Sequence, residues 1–142
     1  MSVRVAPGDG SPLYIGYGGE RIASPDGAHT TVWTYETEKP HSDSLNSVTL
    51  DGLAIPGAHW GRGHAWSPDS AYFTLESYTD EGSVLRVVRA ADRMWTKVAS
   101  NATTLSFVYP HLRLRGYGRG DDGAEQRFTF TANTAWTPVA SA

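Results

Sequence analysis

The amino-acid sequence predicts an all-β fold built from three blade-like antiparallel meanders, for three reasons. Short runs of β-branched and aromatic residues alternate with turn residues, and no stretch shows the periodicity of a long amphipathic helix. The 142 residues include 15 glycines and 8 prolines, as expected where many short strands meet in tight turns. A Ser-Pro-Asp turn also recurs, as Ser24-Pro25-Asp26-Gly27 and Ser67-Pro68-Asp69-Ser70, and Pro25, Pro68 and Pro110 follow one another at 43 and 42 residues. Self-similarity at that period marks a repeat architecture.

The first unit covers residues 20–56. Its proline presets φ near about −65° while Ser or Asp caps the turn backbone. The run 30–35 (Thr-Thr-Val-Trp-Thr-Tyr) predicts a strand, and a polar loop passes through Lys39-Pro40-His41. A second strand at 45–50 meets Leu53-Ala54-Ile55 across an Asp51-Gly52 hairpin turn. The second unit, 62–99, is the clearest. In the run 71–78, Phe73, Leu75 and Ser77 point to one side and Tyr72, Thr74, Glu76 and Tyr78 to the other. Glu76 is expected to decorate an exposed strand face. Thr79-Asp80-Glu81-Gly82 turns into an antiparallel strand at 83–89, and Ala90-Ala91-Asp92-Arg93 turns into a third at 94–98. The third unit, 103–139, places Pro110 between Phe107-Val108-Tyr109 and His111-Leu112-Arg113-Leu114. A Gly-rich loop at 116–123 then leads to a strand at 127–131 and to Ala135-Trp136-Thr137.

Length and composition fit a single β domain spanning 1–142. The absence of cysteine excludes disulfides, thiolate metal sites and a cysteine nucleophile. No apolar run approaches the roughly 20 residues that cross a bilayer, and the N-terminus carries no apolar signal region. The expectation is a cytoplasmic protein without membrane contact. The net charge of −3 divides unevenly, with −7 on residues 1–82 and +4 on residues 83–142. Such polarity predicts an acidic face suited to a basic partner.

Trp66-Ser67-Pro68-Asp69-Ser70, followed by Tyr72-Phe73-Thr74-Leu75 and Val84-Leu85-Arg86-Val87-Val88, resembles one blade of a TolB-type β-propeller. In that family a W-S-P-D-G turn joins the first two strands of each blade. The first unit keeps Ser-Pro-Asp-Gly but has Ala23 in place of the tryptophan, and the third keeps only its proline. The resemblance implies three blade-like units, fewer than a closed ring holds. They would form a partial propeller or sandwich in a monomer, or half of a propeller completed by a second copy in a homodimer.

No residue pattern predicts catalysis. There is no G-x-S-x-G nucleophile elbow, and Ser67, just before a turn proline, is expected to bond the backbone. Asp69 and Glu76 are the carboxylates to weigh for glycoside chemistry, yet the exposed-face reading of Glu76 opposes it. In His59-Trp60-Gly61-Arg62-Gly63-His64 the two histidines are five residues apart, on opposite faces of a strand, without further ligands. Neither a metal nor a cofactor is expected. The Gly-rich stretches 16–19 and 116–123 lack the phosphate-loop pattern. The second contains Arg119-Gly120-Asp121 and reads as a hairpin tip. Arg113, Arg115, Arg119 and Arg127 near Tyr117 and Phe128 form a small basic patch, but the overall acidity predicts no nucleic-acid binding.

The expected function is non-catalytic protein binding, most specifically that of an immunity-type protein that covers and neutralises a toxin domain. A small, acidic, cysteine-free domain suits that role. Its contacts are expected from exposed aromatic and acidic loop residues, namely Trp60, Tyr78, Asp80 and Glu81. The alternative is a lectin-like β-repeat domain that stacks tryptophan and tyrosine on sugar rings. Trp33, Trp66, Trp95 and Trp136 lie near strands, where core packing is the expected role.

Overall fold

A computed structural model of the chain describes residues 3–39, 43–117 and 123–139. Its regular elements are strands. In chain order they are β1 (Val3–Val5), β2 (Glu20–Ala23), β3 (Thr30–Glu38), β4 (Ser44–Leu50), β5 (Leu53–Trp60), β6 (Tyr72–Thr79), β7 (Gly82–Arg89), β8 (Met94–Ser100), β9 (Ala102–Val108), β10 (His111–Gly116), β11 (Glu125–Thr129) and β12 (Thr137–Pro138). Among the described residues they make a nine-stranded sheet, β1-β2-β3-β4-β5-β6-β7-β8-β12, and a three-stranded sheet, β11-β10-β9. The all-β expectation therefore holds, while the sheets stay open and close as neither a barrel nor a propeller. No helix in the described residues is long and apolar enough to cross a membrane.

Both Ser-Pro-Asp turns form, with matching hydrogen bonds. The amide of Gly27 donates to the Ser24 carbonyl (2.9 Å), and that of Ser70 to the Ser67 carbonyl (2.8 Å). Each serine hydroxyl donates to the turn aspartate and accepts an amide five residues on, from His29 in the first turn and Tyr72 in the second. Each aspartate also accepts an amide two residues on. The turns touch, because the Asp26 amide donates to the Ser70 hydroxyl at 3.0 Å. Ser67 is fully buried, so Ser67→Ala strands the Tyr72 amide. It is expected to lower unfolding free energy by about 1–2 kcal/mol, measured by urea denaturation.

The long sheet folds over at β5–β6, where only Ala58↔Tyr78 and His59↔Ser77 pair. Its two halves then share one core: Ile22, Trp33, Val48, Leu50 and Ile55 from the first half meet Trp66, Phe73, Leu75, Val88 and Trp95 from the second. A second core lies on the opposite side of β6 and β7, where Leu85 and Val87 pack with Phe107, Leu112, Leu114 and Phe130 of the short sheet and the segment following it. Tyr72 stacks on Tyr109 there, with centroids 3.9 Å apart. Trp33, Trp66 and Trp95 are buried as expected, and Trp136 is half-buried against the Arg89 guanidinium and the Phe130 ring.

Covering β6 on both sides overturns the expectation for Glu76, whose exposure is 0%. Two further features concern strand pairing. β1, which precedes the first predicted unit, adds a strand parallel to β2. β12 pairs with β8 and leaves the short sheet with three strands instead of four.

Candidate functional site

One end of the fold collects the C-termini of β3, β5, β6 and β10 and the N-termini of β4, β7 and β9. Arg62 lies at its centre, held between two glycines. The Gly61 amide donates to the Ser44 carbonyl, and the Gly61 carbonyl accepts from Ile15, both at 2.8 Å. A Cβ on Gly61 would collide with the Ser44 hydroxyl and the Ile15 carbonyl. Gly63 has φ +67°, and a Cβ there would collide with the Glu76 carboxylate. Only glycine tolerates such backbone approach.

The guanidinium of Arg62 is bound on three sides. Nε donates to Glu76 Oε1 (2.8 Å), Nη1 to Asp43 Oδ2 (2.9 Å) and Nη2 to the Tyr117 hydroxyl (2.7 Å). The Thr103 hydroxyl donates to the second Glu76 oxygen at 2.6 Å. Burial works against the charge on Arg62, but the bonds to Glu76 and Asp43 outweigh it and hold the guanidinium protonated. Burial pushes the Glu76 carboxyl above its usual range, opposed by Thr103 and Arg62. Arg62, Thr103 and Tyr117 line a cavity of about 250 Å3.

Aromatic rings surround this ion cluster. Arg62 lies over Trp60 (4.8 Å) and Tyr117 (5.1 Å), and Trp60 meets Tyr78 edge-on at 5.5 Å. The Lys39 ammonium sits 4.9 Å above the Tyr78 ring. On the other side of Asp43, the Tyr14 hydroxyl is pushed up to about 12, first by its hydrogen bond with Tyr17 and then by burial and the Asp43 charge. Tyr17 in turn meets Tyr35 edge-on at 6.0 Å. Tyr14, Tyr17 and Tyr78 expose much of their surface. The acids Glu36, Glu38, Asp80 and Glu81 are exposed around them.

The predicted contact residues Trp60, Tyr78, Asp80 and Glu81 all fall at this end. Tyr78 is exposed at the end of β6, and Asp80 and Glu81 form the β6–β7 turn. Trp60 corrects the expectation of an exposed loop residue: it ends β5, is only 5% exposed, and donates its indole N–H to the Ser83 hydroxyl at 2.9 Å. It supports Tyr78 from beneath. Sequence reasoning missed Arg62, Asp43, Tyr14, Tyr17 and Tyr35 as members of the site. The glycines flanking Arg62 were the available signal.

The other candidates lie apart. Asp69 caps its turn, whereas Glu76 sits in the far half of β6. His59 and His64 do not share a strand. His59 Nδ1 pairs with the Ser77 hydroxyl (2.9 Å), while His64 Nδ1 donates to the Thr74 carbonyl and its Nε2 faces the Thr31 hydroxyl, both at 3.1 Å. Among the described residues no group of His, Asp or Glu is placed to hold a metal ion. The Arg119-Gly120-Asp121 tripeptide lies outside the described residues. Arg113 and Arg127 are cross-strand neighbours on the short sheet, and Tyr117 turns away from them to Arg62. No protein-family model matches the chain, and neither does any curated protein or solved structure.

Proposed function

We propose that this chain is a non-catalytic protein-binding module whose tyrosine-lined end docks a basic protein surface, as an immunity-type protein does when it covers a toxin domain. The observation that carries this reading is the set of tyrosines tied to the Arg62 ion cluster, Tyr117 directly, Tyr78 through Trp60, and Tyr14 with Tyr17 beside Asp43, with exposed acids at the same end. Tyrosine, tryptophan and arginine dominate binding hot spots. Here their foundation is already locked by hydrogen bonds, which limits the ordering cost of association. Lys39 over Tyr78 illustrates how a ring at this end receives a cation. Glu76 is engaged by Arg62 and Thr103, which favours a positioning role over proton transfer. A monomer is favoured over a propeller completed by a second copy, because the outer face of the short sheet is polar, carrying an Arg113–Glu125 ion pair at 2.9 Å.

A Tyr14→Ala/Tyr78→Ala double variant tests the reading. It is expected to lose at least tenfold in affinity for a stoichiometric partner co-purified by the wild-type protein, with little change in melting temperature. The open cavity beside the tyrosines gives the lectin-like alternative its support. Saturable quenching of intrinsic fluorescence by simple sugars, with no protein partner retained, would establish that alternative instead.

A further inference from the structure

The short sheet ends on β11, which pairs with β10 on one side and with no strand on the other among the described residues. Such an edge presents backbone donors and acceptors ready for another strand. Glu125, Gln126, Arg127 and Thr129 are exposed along it, and Phe128 is half-buried at the rim of the second core, 4.8 Å from the Phe130 ring.

The outer face carries an unbalanced row. Ser106, Arg113 and Arg127 stand side by side across β9, β10 and β11. Like charges directly opposite one another destabilise a sheet pair. Glu125 only partly resolves the conflict: both its oxygens accept hydrogen bonds from Arg113 at 2.9 Å, and this one carboxylate also lies within electrostatic reach of Arg115 and Arg127. Arg127 has no hydrogen-bond partner among the described residues. It lines a shallow depression of about 140 Å3 with Ser106, Val108, His111 and Arg113.

We propose that β11 is a docking edge for an extended peptide segment that alternates apolar and acidic residues. Strand addition satisfies the open backbone. Side-chain alternation then places one acid beside Arg127 on the outer face, completing the row, and sets its apolar neighbours toward Phe128 on the inner face. The residues opposite Glu125 and Thr129 are best uncharged, since an acid facing Glu125 is repelled. A nucleic acid would satisfy the arginines but offers no amide and carbonyl ladder to the edge. This site is the β11 edge of the short sheet, whereas the tyrosine-lined end takes from that sheet only Thr103 of β9 and Tyr117 just past β10, and the proposal does not depend on it.

The test uses the whole chain and fluorescein-labelled peptides with the central sequence Thr-Val-Glu-Val-Thr, or Thr-Val-Lys-Val-Thr as its charge-reversed control. The glutamate peptide is expected to bind at least tenfold more tightly than the control and to slow amide exchange at Glu125, Arg127 and Thr129, the β11 amides that face away from β10. In Arg127→Glu the preference should reverse; in Arg127→Lys it should be retained. Equal binding of both peptides overturns the proposal. So does an oligothymidylate that outcompetes the glutamate peptide, or binding without amide protection along β11.

Discussion

Stability is expected to collapse between pH 6.5 and pH 4, because two fully buried imidazoles must remain neutral for the chain to stay folded. His59 and His64 are each held down at about 4, chiefly by burial, whereas an unfolded histidine titrates near about 6.5. Below that ordinary value the unfolded chain takes up protons that the folded one refuses, so falling pH favours unfolding. Each histidine then removes about 2 kcal/mol by pH 5 and about 3 kcal/mol by pH 4, on an order-of-magnitude reckoning. Together they rival the roughly 5–15 kcal/mol of a whole domain. Urea unfolding at pH 7 and pH 5 checks this. His64→Gln should flatten the dependence by about half, whatever it does to stability at pH 7. A wild-type unfolding midpoint that is the same at both pH values refutes the burial of neutral imidazoles.

Glu76→Ala is expected to cost about 3 kcal/mol, near the lower end for breaking a buried ion pair because Arg62 keeps some contact with water. The substitution removes the acceptors of the Arg62 Nε–H and the Thr103 hydroxyl and leaves the guanidinium to Asp43 and Tyr117. For a chain of this size the melting temperature should fall by on the order of 10 °C. Glu76→Gln should cost less, since its amide oxygen still serves as an acceptor. A paired replacement, Arg62→Met with Glu76→Leu, should be less destabilised than the sum of its single variants, because the fully buried Glu76 charge is removed with its partner and only the part-exposed Asp43 loses its ion pair. Strict additivity in thermal melts would show that the pair is not coupled.

The sequence makes the local grammar of the fold legible where one residue type has one conformational role. The two Ser-Pro-Asp turns form with the same hydrogen bonds. The Asp51-Gly52 hairpin has positive φ at both central residues, 51° and 86°, as a type I′ turn demands. The β6–β7–β8 meander follows the predicted runs to within a few residues. What alternation along one strand does not reveal is how many of its faces another sheet covers. Glu76 shares its side of β6 with Tyr72, Thr74 and Tyr78, a pattern that suits solvent when one face is open. In the fold the short sheet lies across that side, and Thr74 and Glu76 are both fully buried. Long-range partners were hidden for the same reason. The pairing of β5 with β6 sets Trp60 edge-on against Tyr78, and β12 leaves its own unit for β8. In the candidate site, Tyr78, Asp80 and Glu81 could be read from one turn. Arg62 with Asp43, Tyr14, Tyr17 and Tyr117 is gathered from segments far apart in sequence.

The tyrosine-lined end is the surface proposed to meet a partner. Hydrogen–deuterium exchange of the chain alone and in its partner complex measures this most directly. Protection is predicted at residues 14–17, 35–39 and 78–81, with the Ser-Pro-Asp turns at the far end unchanged. Protection confined to those turns, or to residues 50–54, contradicts it.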